Sequence, residues 1–434
     1  MTTAAAAALP LVARTVALPP PGRDPGLSEP SLLDLLPGHE PGVSWVRRGD
    51  GLVGWGEVAR IDVAGPCRFA EADAAWSALT RRAVVRDEVG LPGCGPVAFG
   101  SFSFSPDSPS GGSLIVPRVV VGRRGDTWWL TTVGLGSMPP VERPRRHPSP
   151  PSPGQVTYRD GALDADHWSD AVAVAVKRIA DGDLDKAVLA RDVWVHTEAP
   201  IDVRHLLRRL AARYPSCWTF AVDGLVGATP EMLVRREKGL VTSRVLAGTI
   251  RRTGDDASDL ALAATLARSS KDLEEHEYAV RSVAEALAPA CRSMNVPEAP
   301  YVLHLPNVMH LATDVTGVLC SEAEPASSLQ LAQALHPSAA VCGTPREEAA
   351  ALIAELEEMD RDRYAGPVGW IDAGGDGEWG IGLRSGRLDR RDRTRMRLFA
   401  GCGIVAGSDP ASELAESRAK LVPMQEALGS TAAD

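Results

Sequence analysis

From about residue 43 onward, the apolar segments of this chain arrive in neighbouring pairs joined by tight turns. "GVSWVRRGDGLVGWGEVARIDV" alternates around Gly49-Asp50-Gly51 and predicts a hairpin. "GPVGWIDAGGDGEWGIGLRSGRLD" does the same around the glycines near 375. "PVAFGSFSFSP", "SLIVPRVVVGRRG", "TWWLTTVG", "LDKAVLARDVWVHT" and "RTRMRLFAGCGIVA" read as further strands. Helical spacing predicts helices over 69–88, 164–182, 202–213, 256–290, 326–335 and 345–358, with a last one after residue 408. Strands that arrive in hairpins, and do not alternate one-for-one with helices, predict an α+β fold with antiparallel sheets rather than a doubly wound parallel one.

The chain has 434 residues, enough for one large core or two to three domains. Residues 1–30, rich in Ala, Pro and Gly, are expected to form a flexible arm. Residues 31–137 form a β-rich first part, 138–154 ("MPPVERPRRHPSPPSPG") a proline-rich linker or surface loop, and 155–430 the region with most of the motifs. A formal net charge of −10, with no basic cluster on a helix, argues against nucleic acid as a partner. No apolar run reaches the length of a membrane span. The alanine run at the N-terminus lacks a charged segment before it and is interrupted by Arg14, so no signal peptide is expected. Seven cysteines, an odd number without a CxxC, fit buried thiols in a reducing compartment, hence a cytoplasmic protein. There is no GxGxxG after a strand and no GxxxxGK[ST], so nucleotide binding is unsupported.

The densest motif is Gly401 to Lys420, "GCGIVAGSDPASELAESRAK". Gly401, Gly403 and Gly407 lead into a helix start with Ser408 or Asp409 as N-cap and Pro410 at the first helical position. Glu413 and Glu416, three apart, project from one face of its first two turns. Exposed backbone N–H groups beside paired carboxylates suit a cation together with an anion, although an acidic first turn is also what the helix dipole favours. Lys186 stands at the edge of an apolar strand, where it either points to solvent or, partly desolvated, acts as a base. Glu231 follows Thr-Pro and precedes an apolar strand; it is either a turn residue or a semi-buried carboxyl that stays protonated and donates. In "SSKDLEEHEYAV", Asp272 and Glu275 share a helix face with His276 alongside, the usual pattern of a solvated face. Gly248 and Thr249 interrupt a strand, as a bulge or as a point of close ligand approach. His310 lies in an apolar strand, where core histidines are commoner than catalysts. Arg384, set among apolar residues, needs an anionic partner if buried.

In their order along the chain, "KAVLAR", "TPEMLVRR", "LAGTIRR", "SKDLEEHEYAV", "VMHLAT", "HPSAAVCGTP", "YAGPVGW", "LRSG" and the Gly401–Lys420 motif resemble the chorismate-utilising enzymes. That family includes isochorismate synthase, salicylate synthase, anthranilate synthase component I and aminodeoxychorismate synthase component I. The resemblance covers about 160–430 and implies antiparallel sheets with helices outside and an active site between sheet and helices. It also implies chorismate as substrate and Mg²⁺ as cofactor, with Glu275 and Glu416 as metal ligands and Asp272 and Glu413 nearby. Tyr364 and Arg384 would hold the enolpyruvyl carboxylate, backbone N–H groups around Gly403 the ring carboxylate, and Gly248, Thr249, His310 and Lys420 the rest of the substrate. Lys186 matches the family's base and Glu231 its acid.

Ala247 stands where the aminodeoxychorismate branch often carries a lysine, and Lys186 marks the water-using members. The resemblance therefore favours isochorismate synthase, with salicylate synthase sharing the same residues and an ammonia-using relative as a further alternative. No glutaminase subunit and a monomeric state are implied. A binding protein that merely kept the fold is disfavoured by the presence of Lys186, Glu231, Glu275 and Glu416 together.

Overall fold

A computed structural model describes residues 9–19, 31–140, 143–304, 308–320 and 325–429; the side chains of Thr249, Arg251, Lys271, Asp272 and Glu275 lie outside the described set. All 21 described strands join one hydrogen-bonded network. Its described pairings are antiparallel except one, between Leu11–Leu18 and Val84–Asp87. Helices pack on the sheet and close over its ends, which is the α+β arrangement the hairpin pattern predicts.

Three expectations change. The arm expected over 1–30 contains a strand, Leu11–Leu18, which inserts between Val84–Asp87 and Thr127–Leu135 because its alternate residues Leu11 and Ala13 are buried. The helix expected over 69–88 ends at Thr80 and is followed by that edge strand. The single helix expected over 256–290 is two, Asp256–Arg268 and Ser270–Leu287, broken where Ser269 takes extended backbone angles (ψ 109°).

The proline-rich stretch does not separate two bodies. Strand Gly42–Arg47 pairs with Trp218–Val222, and Val97–Phe102 pairs with Pro367–Asp372, so ladders run directly from the first third to the rest. Phe69, Trp76, Phe102 and Phe104 share one core cluster with Leu189, Tyr364 and Cys402. The stretch itself is tied down: His147 donates its N–H to Asp34 O (2.8 Å), and Arg208 reaches Ser149 Oγ and His147 O.

The last helix, Pro410–Leu428, begins as its sequence dictates. Asp409 is the N-cap, its carboxylate accepting from Ser412 N at 2.9 Å, with Pro410 first in the helix; Ser408 accepts from Val405 N in the preceding turn. The two main strands beside it, Lys186–Thr197 and Arg395–Ile404, pair antiparallel in the register Val188 to Gly403 and Leu189 to Cys402. That register brings the lysine, the glycine pair and the acidic helix to one place.

Candidate active site

A cavity of about 580 Å³ opens between the sheet and the acidic helix, a size suited to a small polar metabolite. Nine residues singled out from the sequence line it: Lys186, Glu231, Gly248, His310, Tyr364, Arg384, Gly403, Glu416 and Lys420. Glu413 lies behind, beside Cys402 and Glu416. Thr249 pairs through its backbone with His310, and Asp272 and Glu275 lie on the Ser270–Leu287 helix; the side chains of all three are outside the described residues.

Gly403 lies directly against the Lys186 side chain. A Cβ there would stand 3.1 Å from Lys186 Cε and 3.5 Å from Nζ, crowding the lysine at the head of its strand. Lys186 pairs through its backbone with Thr344, and its neighbour Ala187 pairs with Ile404 on the other side.

Glu231 sits between two strands, with its amide on Thr229 Oγ1 (3.2 Å) and its carbonyl accepting from Ile381 N (3.1 Å). Burial pushes its carboxyl up to about 7, against the opposing pull of Lys186, Arg384 and Lys420. It is therefore about half protonated near neutrality, whereas an exposed glutamate is fully ionised there.

Gly248 is both of the things the sequence allowed. Backbone φ is +73° at Gly248, the register slips between Ala247 and Thr249, and the resulting bulge faces the cavity. His310, opposite the bulge, hydrogen-bonds the Gly248 backbone and is held down at about 4, chiefly by burial and then by Arg384 and Lys420. It is a neutral imidazole at physiological pH and serves as a hydrogen-bonding wall rather than a cation.

Arg384 adopts φ +48°, a left-handed conformation that costs a non-glycine residue about 1 kcal/mol. Its carbonyl accepts from Ala228 N (3.2 Å), which fixes that turn while the guanidinium lines the cavity. Tyr364 is 4% exposed and stacks on Phe399 with ring centroids 5.1 Å apart. Burial raises its phenol above the ordinary range, so it stays a hydroxyl donor. A Cβ on Gly401 would stand 3.2 Å from that hydroxyl.

Lys420 is held more firmly than its sequence position suggests. Its Nζ donates to Gly401 O at 2.8 Å and pairs with Glu416 at 2.6 Å, one turn back on the same helix. Glu413, Glu416 and Cys402 bring their ligand-type atoms within 4.8 Å of one another. Burial pushes the Cys402 thiol up to about 12, and its Sγ–H donates to Glu413 O (3.3 Å). The two carboxylates are hard oxygen donors of the kind that suits a cation such as Mg²⁺.

Sequence reasoning did not single out every wall residue. Glu274, next to the glutamate singled out on that helix, lines the cavity with Tyr278. Arg361 forms a wall although it is only 3% exposed. It is paired with Glu357, and each side chain is 2% exposed. It also donates to Val188 O (2.6 Å) and Val341 O (2.8 Å), while Glu357 accepts from Ala190 N (2.6 Å). Phe104, from the first third, presents its ring to the guanidinium at 4.2 Å. This saturated ion pair clamps the Lys186 strand two residues past the lysine. The four-residue spacing Glu357–Arg361 was the available signal.

The sequence model of the chorismate binding enzymes matches residues 43–429. The chain belongs to this enzyme family. Among its relatives, isochorismate synthase DhbC of Bacillus subtilis is 40% identical over 61% of this chain and 68% of its own. Isochorismate synthase MenF of the same organism is 34% identical over 77% of this chain and 75% of its own. The solved structure of MenF from Escherichia coli, described as the menaquinone-specific isochorismate synthase, superposes with a TM-score of 0.78 at 25% identity, covering 97% of this chain and 95% of that one. No helix among the described residues is long and apolar enough to cross a membrane.

Proposed function

We propose that this chain is an isochorismate synthase, which converts chorismate to isochorismate by adding water at ring C2 with loss of the C4 hydroxyl. The observation that carries the reading is that Lys186 and Glu231 line one cavity, the carboxyl held near pKa 7, with two further cations, Arg384 and Lys420, on the same lining to meet a doubly anionic substrate.

The chemistry follows from these groups. Lys186 takes a proton from the attacking water as its oxygen bonds to C2. The ring double bonds shift, the C4–O bond breaks, and Glu231 gives its proton to the departing hydroxyl, which leaves as water. Arg384 and Tyr364 hold the enolpyruvyl carboxylate, one as a charged planar fork and the other as a neutral hydroxyl. The glycine-lined backbone at Gly403 and the Lys420 ammonium face the ring carboxylate, and Gly248, Thr249 and His310 line the ring. Glu275 and Glu416 would hold Mg²⁺, with Asp272 and Glu413 close by; bound there, the ion supplies positive charge to the substrate carboxylate.

The test is to mix the protein with chorismate and Mg²⁺, without ammonia, and separate the products. A reversible mixture of chorismate and isochorismate is expected. Salicylate with pyruvate would move the assignment to a salicylate synthase, and an amino product formed only with ammonia would overturn it. Two variants test the binding roles. Arg384→Ala is expected to raise KM for chorismate by about tenfold or more, as loss of a charged hydrogen bond does, with a smaller change in kcat; an unchanged KM contradicts the contact. Glu416→Gln removes one of the two metal carboxylates and is expected to shift the Mg²⁺ titration at least about tenfold upward. An unchanged Mg²⁺ midpoint removes Glu416 from the metal site.

A further inference from the structure

Glu231 borders two cavities. Behind it, away from the substrate side, lies a separate space of about 30 Å³, divided from the main one by Glu231 itself and by Ala279, Ala339 and Ala340. That is room enough for a water molecule. Its lining is polar where it matters. Ser338 Oγ faces it, buried, and finds no hydrogen-bond partner among the described residues. Ser243 Oγ, also on the lining, spends its proton on Leu233 O (2.6 Å) and keeps its lone pairs free to accept. Among the described residues, Glu231 is the one carboxyl on this lining. The other charged groups on it, among the described residues, are Arg244, engaged by Asp314 at 2.7 and 2.9 Å, and Arg346, whose side chain reaches the exposed surface.

A buried hydroxyl left without a partner is costly, and ordered water is how folded proteins relieve that cost. We propose that this rear cavity holds a water that hydrogen-bonds Ser338 Oγ and the Glu231 carboxyl and returns a proton to Glu231 after each turnover. The proposal rests on the reading of Glu231 as the acid of an isochorismate synthase. In each turnover Glu231 loses a proton to the departing hydroxyl and Lys186 gains one from the attacking water. The rear water gives a proton to the Glu231 carboxylate and takes one from solvent on the Arg346 side, and the proton on Lys186 leaves through the open substrate side. No net proton is gained or lost, and the acid is reset without waiting for product to clear the front cavity. Ser338 is thus a positioning residue, acting through the water.

Two measurements test this. A high-resolution crystal structure of the intact protein is expected to show an ordered water about 3 Å from Ser338 Oγ and within hydrogen-bond reach of Glu231; a dry cavity overturns the proposal. In kinetics, Ser338→Val removes the hydroxyl and fills the space. It is expected to lower kcat about tenfold, leave KM for chorismate within about twofold, and enlarge the solvent deuterium isotope effect on kcat, because proton return becomes limiting. Ser338→Thr, which keeps the hydroxyl, is expected to behave like the parent. A parental kcat and isotope effect in Ser338→Val overturn the route. If that variant melts early, Ser338→Ala replaces it, with the same direction expected in the isotope effect and the same overturning result. Failure of the parent protein to convert chorismate would sink the functional reading instead; the water is scored in the crystal without turnover.

Discussion

Lys186→Ala is expected to lower kcat for isochorismate formation by about 10²–10⁴-fold while chorismate still binds nearly as in the parent, since one general base is removed and no carboxylate contact with it. The structure makes this a clean substitution. The side chain lies against Gly403, and shortening it leaves the backbone pairing of Lys186 with Thr344 and of Ala187 with Ile404 intact. Product analysis gives the rate, and calorimetric titration with chorismate gives the affinity. Full turnover in the variant would remove Lys186 from the chemistry. Loss of binding in parallel with rate would recast it as a substrate clamp.

Glu231→Gln is the second large effect. Glutamine keeps the shape but carries no proton to give the leaving hydroxyl, and a loss of about 10²-fold or more in kcat is expected. The pH profile separates this from a packing defect. A carboxyl raised to about 7 is protonated below that value and ionised above it, so activity that needs the acid form falls as pH climbs through 7, about tenfold per unit well above it. The residual activity of Glu231→Gln should lack that alkaline limb. A limb that survives unchanged in the variant belongs to another group, and the acid assignment then fails. The same shift has a stability consequence. Above the ordinary glutamate value, the unfolded chain ionises Glu231 while the folded one still holds the proton, so folding weakens between about 4.5 and 7, and Glu231→Gln should be relatively more stable at the alkaline end of that window.

How much of this was readable in the sequence depends on the range of the interaction involved. Local signals were legible. Asp164, Asp202 and Asp409 cap the helices their positions predict, and Gly248 makes the bulge that a glycine inside a strand suggests. The break at Ser269 was missed because the apolar period runs on through it. Ser269 followed three residues later by Asp272 is a helix-start pattern that would have shown it. Long-range signals were not legible. Nothing in "FGSFSF" says that its partner is "PVGWID", because strand pairing is set by the whole sheet rather than by either segment. The proline-rich stretch looked like a linker because its anchors, Asp34 and Arg208, lie far from it in sequence. At the site, residue types and order pointed to the cavity. The spacing of Glu357 and Arg361 showed a possible pair but not its burial, because a charged pair reads as surface until a fold encloses it.

The ladders between Gly42–Arg47 and Trp218–Val222, and between Val97–Phe102 and Pro367–Asp372, bear on how the chain is born. Both early strands leave the ribosome long before their mates exist. At about 5–20 residues per second, Val97–Phe102, every residue of it buried in the finished protein, waits on the order of tens of seconds for the segment that covers it. During that interval the nascent chain presents an unsatisfied, apolar edge of the kind chaperones bind. Expression yield should therefore respond to holdase supply and to slowed growth temperature more than to changes in the active site.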